Sequence, residues 1–585
     1  MGLIWLRQPV LWHSNRTASY SATSLAKMTN HEKFLLTSKF RFWYEADWDY
    51  AQPTVIFFCA AIFATALLTA FGHLRGTSKT TTTAGPTVAD RLTAFIRYLT
   101  SRQFRYRPAD WYAVPLAQVL GVSGICVFVM TFMLSVRPYY WPNSLMGHSP
   151  PIATRSGWIS IAIMPFMIAF STKINFIGLL TNTSHEKLQV YHRWTAFFMY
   201  ITSLVHTFPF IVDSIRRGDM MVQYATSPWY WTGVAALVPQ TYLIAMSWGP
   251  IRNRYYETFK KLHFVASGIF MAALFIHVNF RLSSWDYFWA TAALYTLAWL
   301  IRVLRTLYTT GLGLSATVES IGPSLVKISI PIHGRFSWTP GQHVFVRVFG
   351  LGVHALTSHP FTVSSLRKAE EKKNVVELVM RARGGLTGAL ARRVEGKAGW
   401  ATRVVLDGPY GGLKAPAALD KYERVVFLAG GTGTTFTLPI FTDLVETIQR
   451  NKSPTRVQFV VAVANADDFA WCEPHISAAA TKLGDSVDIR VHFTRAGNTT
   501  EAKDTDSTEE AIIGELAAPV VYRRPVLPEL VQEAYMRASS VAIIACGPDG
   551  FLYDVRNAVA TCQLDITDGF GTCKDLFLHT ETYSW

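Results

Sequence analysis

The sequence predicts a multi-span α-helical membrane domain followed by a soluble half that combines an antiparallel β-barrel with an α/β domain built on a parallel sheet. Three observations predict it. Half of the 585 residues are hydrophobic and only 16% are charged, with a mean hydropathy of +0.19, so much of the chain suits lipid rather than water. Apolar stretches long enough to cross a hydrocarbon core of about 30 Å occur near 52–74, 112–134, 156–172, 190–212, 229–249, 260–281 and 285–305. After Arg305 they give way to short alternating strands, and then to continuous apolar runs separated by helix-like stretches.

These shifts divide the chain into an N-terminal segment at 1–50, a membrane domain of about seven helices at 51–310, a barrel domain at 311–418 and an α/β domain at 419–585. The third span carries the weakest signal, because it contains Pro165 and ends against Lys173. The net charge of +15 does not point to nucleic acid, since no basic stripe with interleaved aromatics runs along the soluble part. The positive charge gathers beside the spans instead. Arg75, Lys79, Arg91, Arg97, Arg102, Arg105 and Arg107 fall between the first two, and Arg252, Arg254, Lys260 and Lys261 between the fifth and sixth. By the positive-inside rule these loops are cytosolic, which puts the N-terminus outside and everything after the seventh span inside. Arg216 and Arg217, on the expected outer side, run against this orientation.

Residues 1–13 resemble a secretory signal only weakly, lacking a clean apolar core and a small-residue cleavage site. The outer segment carries a glycosylation sequon at Asn15. The six cysteines of the whole chain show no paired metal spacing, and four of them fall in the expected cytosolic part, so a disulfide framework is not expected.

The chemistry of the membrane half rests on four histidines. His192 and His206 on one apolar segment are separated by the same fourteen residues as His263 and His277 on another. Fourteen residues turn a helix through nearly four revolutions and rise about 21 Å, so each pair lies on one face at two depths. A single histidine on such a helix is usually a hydrogen-bonded core residue. The repeated interval favours ligation instead, with two helices side by side holding two haems one above the other. The second ring nitrogens then need acceptors that the sequence does not identify.

In the soluble half, 324–332 and 343–348 read as β segments parted by Pro340 and Gly341. From about 420 the runs at 424–430, 457–464, 487–493 and 540–547 are buried strands alternating with helices, the pattern of a parallel sheet. The first leads into Gly430, Gly431, Thr432 and Gly433, where such a sheet offers backbone amides to a pyrophosphate. Upstream, HPFTVSS at 359–365, GGLTGAL at 384–390 and DGPYGG at 407–412 punctuate the barrel. Thr362 beside an ordered aromatic suits a flavin ring, and amides around Gly385 and Thr387 suit its phosphates, although each element alone also fits an ordinary strand or turn.

Taken in order, the histidine pairs, HPFTVSS, LAGGTGTTFTLP, CGPDG at 546–550 and the terminal HTETYSW resemble the ferric reductase and NADPH oxidase superfamily, and fungal ferric/cupric reductases most closely, over about residues 110–585. The resemblance implies a haem-binding membrane domain followed by a ferredoxin-reductase-like module, its barrel binding FAD and its α/β domain NADPH. It implies that His192 and His263 ligate one b-type haem, nearer the cytosol, and His206 and His277 a second. Arg193 is a candidate for a haem propionate, or equally a snorkelling interface arginine. His359, Pro360, Phe361, Thr362 and Ser365 are expected to border FAD, with Gly385 and Thr387 near its pyrophosphate. Gly430, Gly431, Gly433 and Thr434 match the nucleotide loop, and Cys546, Gly547 and Pro548 the segment beside the nicotinamide, with the thiol positional rather than nucleophilic. Trp585 resembles the aromatic that covers the flavin in this superfamily, with an exposed tail tryptophan as the alternative. Arg495 and Arg524 are the candidates for the 2′-phosphate, although the strand at 460–471 lacks an arginine often seen in the family and YRRP at 522–525 replaces a glycine-arginine-proline. The segments at 77–87 and 498–510 read as flexible loops.

The expected function is therefore transmembrane electron transfer from cytosolic NADPH through FAD and two haems to extracellular ferric or cupric chelates. Separate iron or copper transporters would then take up the product. Membrane lipid is the expected environment, at the plasma membrane or an internal one such as the vacuole. The alternatives are superoxide production from oxygen with the same cofactors, and a haem protein without turnover, against which the intact flavin and nucleotide motifs argue.

Overall fold

The computed structural model describes residues 21–37, 47–76, 86–146, 149–279, 283–368, 373–414, 418–495, 509–513, 516–571 and 573–582. The sequon at Asn15, most of the two segments read as flexible loops, and Trp585 lie outside the described residues. The chain divides into two compact units, Met1–Ala70 with Leu120–Arg302, and Phe71–Val119 with Val303–Trp585.

The long helices are α1 (Gln52–Gly76), α2 (Val88–Ser101), α3 (Leu116–Leu134), α4 (Pro151–Ser171), α5 (His185–Arg217), α6 (Pro228–Met246), α7 (Tyr256–Val278) and α8 (Ser284–Thr310). Six helical stretches, Asp49–Gly72, α3, α4, α5, α7 and α8, are long and apolar enough to cross a membrane. The span expected at 229–249 is a helix as well, α6. Its tryptophans, tyrosines, Pro239 and Gln240 lower its hydropathy, so it does not join the six on length and composition. The third span, weakest in sequence, is the most enclosed: 78% of its apolar window is buried, against 22% for α5 and 11% for α7. Pro165 is accommodated inside it. In this unit α5 packs along α4 and α7 packs along α6.

The second unit opens with α2, which packs on the nucleotide half of the chain. Thr87, at the end of a segment read as a flexible loop, starts it with a capping box: Asp90 N–H donates to Thr87 Oγ1, and the Asp90 carboxylate accepts from Thr87 N–H at 2.9 Å.

The barrel strands are β1 (Leu314–Gly322), β2 (Leu325–His333), β3 (Gln342–Val348), β4 (His359–Thr362), β5 (Lys373–Arg381) and β6 (Trp400–Gly411), in the order β4-β3-β6-β1-β2-β5 with every pair antiparallel. Alternation makes this sheet: Val326, Ile328, Ile330 and Ile332 of β2 all face one core with Val344, Val346, Leu378 and Leu406. Ser364 N–H donates to Glu377 O at 2.9 Å, joining the two edge strands and closing the barrel.

The α/β domain has β7 (Arg424–Gly430), β8 (Arg456–Val463), β9 (Val487–Phe493), β10 (Glu509–Ile513), β11 (Leu516–Val521), β12 (Ser540–Cys546) and β13 (Asp575–Glu581), ordered β10-β11-β9-β8-β7-β12-β13. All pairs are parallel except β10 with β11. The barrel carries α9 (Gly385–Val394) between β5 and β6, with Leu386, Leu390 and Val394 in its core, and the α/β domain has α10 (Thr434–Asn451), α11 (Glu473–Leu483), α12 (Leu527–Met536) and α13 (Asp549–Asp568). Continuous burial is the mark of strands covered on both faces. Val425, Phe427 and Ala429 enter a core with Phe436, Phe441 and Leu444 of α10, while Val426 and Leu428 enter another with α12 and α13. The reading of 498–510 as a loop is corrected at its end, where Glu509 and Glu510 begin β10. Their charges hid a strand whose backbone pairs with Pro519 and Val520.

Candidate functional site

The four histidines meet in two tiers. The His192 and His263 rings have centroids 6.5 Å apart, and those of His206 and His277 are 6.1 Å apart. A metal–imidazole bond is about 2 Å long and a ring nitrogen lies about 1.1 Å from its centroid, so two rings ligating one iron from opposite sides have centroids about 6 Å apart. Both tiers fit an iron between their rings.

Helix α4 supplies what the sequence left unidentified. His192 Nδ1 donates to Met167 O at 2.9 Å and His206 Nδ1 to Ala153 O at 2.7 Å. A carbonyl only accepts, so these bonds fix the proton on Nδ1 and leave Nε2 as the ligating atom. Met167 and Ala153 are themselves fourteen residues apart, so α4 repeats the histidine interval on its own backbone. On the other side, His277 Nδ1 meets Thr232 Oγ1 of α6 at 3.2 Å, whereas His263 Nδ1 is buried without a partner among the described residues. Glycines admit two of the rings. A Cβ on Gly157 would lie 2.6 Å from His206 Nδ1, and one on Gly233 would lie 3.1 Å from the His277 ring. No sequence signal marked either glycine, because the contact depends on how the helices pack.

In the barrel, the His359–Thr362 strand pairs with His343–Val346. His359 Nε2 lies 3.1 Å from Thr357 Oγ1, Thr362 is buried, and Pro360 and Phe361 are half-buried. Ser365 holds the seam: its hydroxyl donates to Val375 O at 2.8 Å and accepts from Glu377 N–H at 3.1 Å. Strand β5 then leads to Gly384, Gly385 and α9. No side chain caps this helix, so its first amides remain for an anion. Thr387 shapes the turn, accepting from Arg383 N–H and donating to Gly384 O, both at 3.1 Å. A network absent from the sequence reading lies on β6: Asp407 accepts from Tyr410 Oη at 2.6 Å and from Arg305 Nη2 at 3.2 Å, with Arg305 4.4 Å over the Tyr410 ring.

The nucleotide loop and the CGP segment, remote in sequence, come together because β7 and β12 are parallel neighbours with Ala429 opposite Cys546. The approach is close enough to require glycine. A Cβ on Gly433 would fall 2.1 Å from Cys546 O, and one on Gly430 would fall 3.1 Å from Pro548 Cδ and 3.3 Å from Gly547 Cα. Gly431 has φ +58°, a left-handed conformation that also favours glycine. Thr434 Oγ1 donates to Gly431 O at 3.0 Å and starts α10. Cys546 is fully buried. On the far side of β12, β13 runs parallel with Glu581 opposite Cys546, so the last described strand ends beside this segment. Arg495 follows β9 and Arg524 follows β11. Both are exposed at the carboxyl edge of the sheet, the edge from which the Gly431 turn also leaves.

Three family models match the chain in order: the ferric reductase like transmembrane component over residues 156–274, the FAD-binding domain over 312–414 and the ferric reductase NAD binding domain over 422–560. Among curated relatives, the chain is 33% identical over 403 residues to "Probable cell surface ferric reductase" of Aspergillus oryzae, covering 65% of this chain and 52% of that protein. It is 26% identical over 410 residues to ferric/cupric reductase transmembrane component 7 of Saccharomyces cerevisiae (68% and 63% covered). It is 27% identical over 446 residues to that yeast's ferric reductase transmembrane component 4 (70% and 60%). The chain thus spans between half and two thirds of the length of these relatives. With its histidine-bearing helices, flavin barrel and nucleotide domain in this order, the chain is a multi-pass membrane protein that carries a ferric reductase like transmembrane component, an FAD-binding domain and a ferric reductase NAD binding domain.

Proposed function

We propose that the chain is a transmembrane metalloreductase that moves electrons from cytosolic NADPH to ferric or cupric chelates outside the membrane. The observation that carries this reading is the pair of histidine tiers, each with ring centroids about 6 Å apart as bis-imidazole ligation of one iron requires, on a chain that continues into flavin and nucleotide domains. Two b-type haems and FAD fit the residues present. Flavin accepts a hydride and releases electrons singly, and haem iron takes one at a time.

The chain's own groups do the holding. Met167 O and Ala153 O set the tautomers of His192 and His206. Thr362 and the uncapped start of α9 receive the flavin ring and its phosphates, and the Gly430–Gly433 turn receives the dinucleotide. Cys546 acts through its position, its carbonyl lying under Gly433 and its thiol sealed from solvent. Trp585 is assigned the cover over the flavin. Arg193, the residue after His192, would pair with a haem propionate or, equally, snorkel to the interface. The positive loops support a cytosolic side for the flavin and nucleotide domains and an outer side for the His206/His277 tier, and the plasma membrane is the membrane this reading assigns.

Two consequences follow for single residues. Gly157→Ala pushes a methyl group into the space of the His206 imidazole, so one of the two haem bands shifts and its midpoint potential moves. Redox-titrated spectra indistinguishable from the unmodified protein would contradict the second tier. Arg495→Ala and Arg524→Ala each raise KM for NADPH about tenfold with at most about a twofold change for NADH, because only the former carries the 2′-phosphate. Parallel changes for both nucleotides would remove these arginines from recognition.

The reading is tested by reducing the purified protein with NADPH under anaerobic conditions and then adding a ferric chelate. Loss of the reduced haem bands, with stoichiometric ferrous product, is expected. Bands that persist until oxygen is admitted would identify an oxidase instead.

A further inference from the structure

Helix α2 presents its hydrophobic residues to the outside and packs through its small and polar ones. Ala94 and Ser101 are buried, and Ala94 joins the core formed with α12, α13 and β13. On that same side Arg97 pairs with Asp575 and donates to Leu576 O at 3.0 Å. Arg91 Nε reaches Thr567 O at 2.5 Å. Past the helix end, Gln103 Oε1 accepts from Arg556 at 3.2 Å. Burial lowers the Arg556 pKa to about 10, which still leaves it charged at neutral pH.

The opposite face is apolar and bare. Val88 is 84% exposed, Leu92 51%, Phe95 43% and Ile96 36%. At about 100° per residue these four fall within one arc of about 100°, and its centre is roughly opposite the arc of Ala94 and Ser101. Beyond the helix Phe104 is exposed, as are Tyr106 and Trp111 on a short β pair of Arg105–Tyr106 with Trp111–Tyr112. Residues 88–112 hold five arginines against two aspartates; Arg97 pairs with Asp575 on the inner face and Arg105 with Asp110, which leaves Arg91, Arg102 and Arg107 outside these pairs.

A soluble helix has no reason to turn this face to water. Its attachment says what covers it. Leu116, the first residue of the membrane span α3, donates its N–H to Arg102 O at 2.8 Å. The end of α2 is therefore held at the foot of a span, where chain entering a bilayer meets the headgroups. Exposed apolar side chains with interleaved arginines at that depth match the chemistry of an anionic lipid surface.

We propose that α2 is an interfacial helix, its Val88/Leu92/Phe95/Ile96 face seated about 5–10 Å into the cytosolic headgroup region and its Ala94/Arg97/Ser101 face carrying the nucleotide domain. Anionic phospholipid is the partner of the outer face. The seat is independent of the electron acceptor and of haem content.

The test uses the unmodified full chain in nanodiscs of phosphatidylcholine with phosphatidylserine, containing a trace of phospholipid with a diazirine-bearing acyl chain. After photolysis and digestion, adducts are expected on the 88–101 peptide at Leu92, Phe95 or Ile96, at least about tenfold above the buried 424–430 peptide. Labelling of α1 and α3 with none on 88–101 would overturn the proposal. A nitroxide at Leu92→Cys, with Cys59→Ser and Cys126→Ser, gives an independent reading. Greater accessibility to oxygen than to a neutral nickel complex supports the lipid seat. The reverse order places the face in water, and low accessibility to both places it against protein, each of which overturns it.

Discussion

Replacing His206 with Ala is expected to abolish reduction of an external ferric chelate while leaving NADPH-dependent reduction of a soluble dye at the flavin. The His206 ring sits 6.1 Å from that of His277, centroid to centroid, so the variant leaves that tier with the His277 imidazole alone. His192 and His263 form a separate pair on the same helices. The variant should therefore lose about half of its haem and more than about a hundredfold of its chelate reduction. Retained dye reduction serves as the internal control, since it shows that FAD and NADPH still bind. Chelate reduction near the level of the unmodified protein would remove the second tier from the path.

Gly433→Ala should have the largest effect in the soluble half. The added Cβ would lie 2.1 Å from Cys546 O and 2.6 Å from its carbonyl carbon, and that carbonyl belongs to a strand flanked on both sides by β7 and β13. Backbone in the middle of a sheet does not give way as the tip of a flexible side chain does. A destabilisation of about 3 kcal/mol or more is expected, and reduction of dye and of chelate should fall together as the nucleotide site opens. Gly431→Ala is the contrast. Nothing stands within 4 Å of its Cβ, and only its φ of +58° opposes a side chain, which costs about 1–2 kcal/mol. Thermal unfolding of the two variants with and without NADPH should rank Gly433→Ala well below Gly431→Ala; equal midpoints would mean that the two motifs do not touch.

The membrane half was legible because its signals are long and repeated. A span is a run of about 20 apolar residues, and the histidine interval occurs twice. Helix α6 was legible as a helix although tryptophan, tyrosine, proline and glutamine dilute its hydropathy. The partners of the histidines were not legible. Met167 and Ala153 act through backbone carbonyls, for which residue type carries no signal, and Gly157 and Gly233 matter only once α4 meets α5 and α6 meets α7. The glycine turn and CGPDG could be read as separate motifs, while the parallel pairing of β7 with β12 that unites them is a matter of topology. Two local features are hidden by composition. Thr87 and Asp90 form a capping box behind a threonine run, and Glu509 and Glu510 begin an edge strand whose charges suggested a loop. The placement of α2 on the nucleotide domain depends on residues as distant as Arg97 and Asp575, a separation no local pattern spans.

The most direct measurement uses right-side-out vesicles loaded with NADPH, following reduction of a membrane-impermeant ferric chelate outside, with superoxide dismutase and again without oxygen. Reduction that persists under both conditions, and that His206→Ala abolishes, is the predicted result. Loss of reduction under both conditions, with superoxide detected while oxygen is present, would contradict direct metal reduction and leave oxygen as the acceptor.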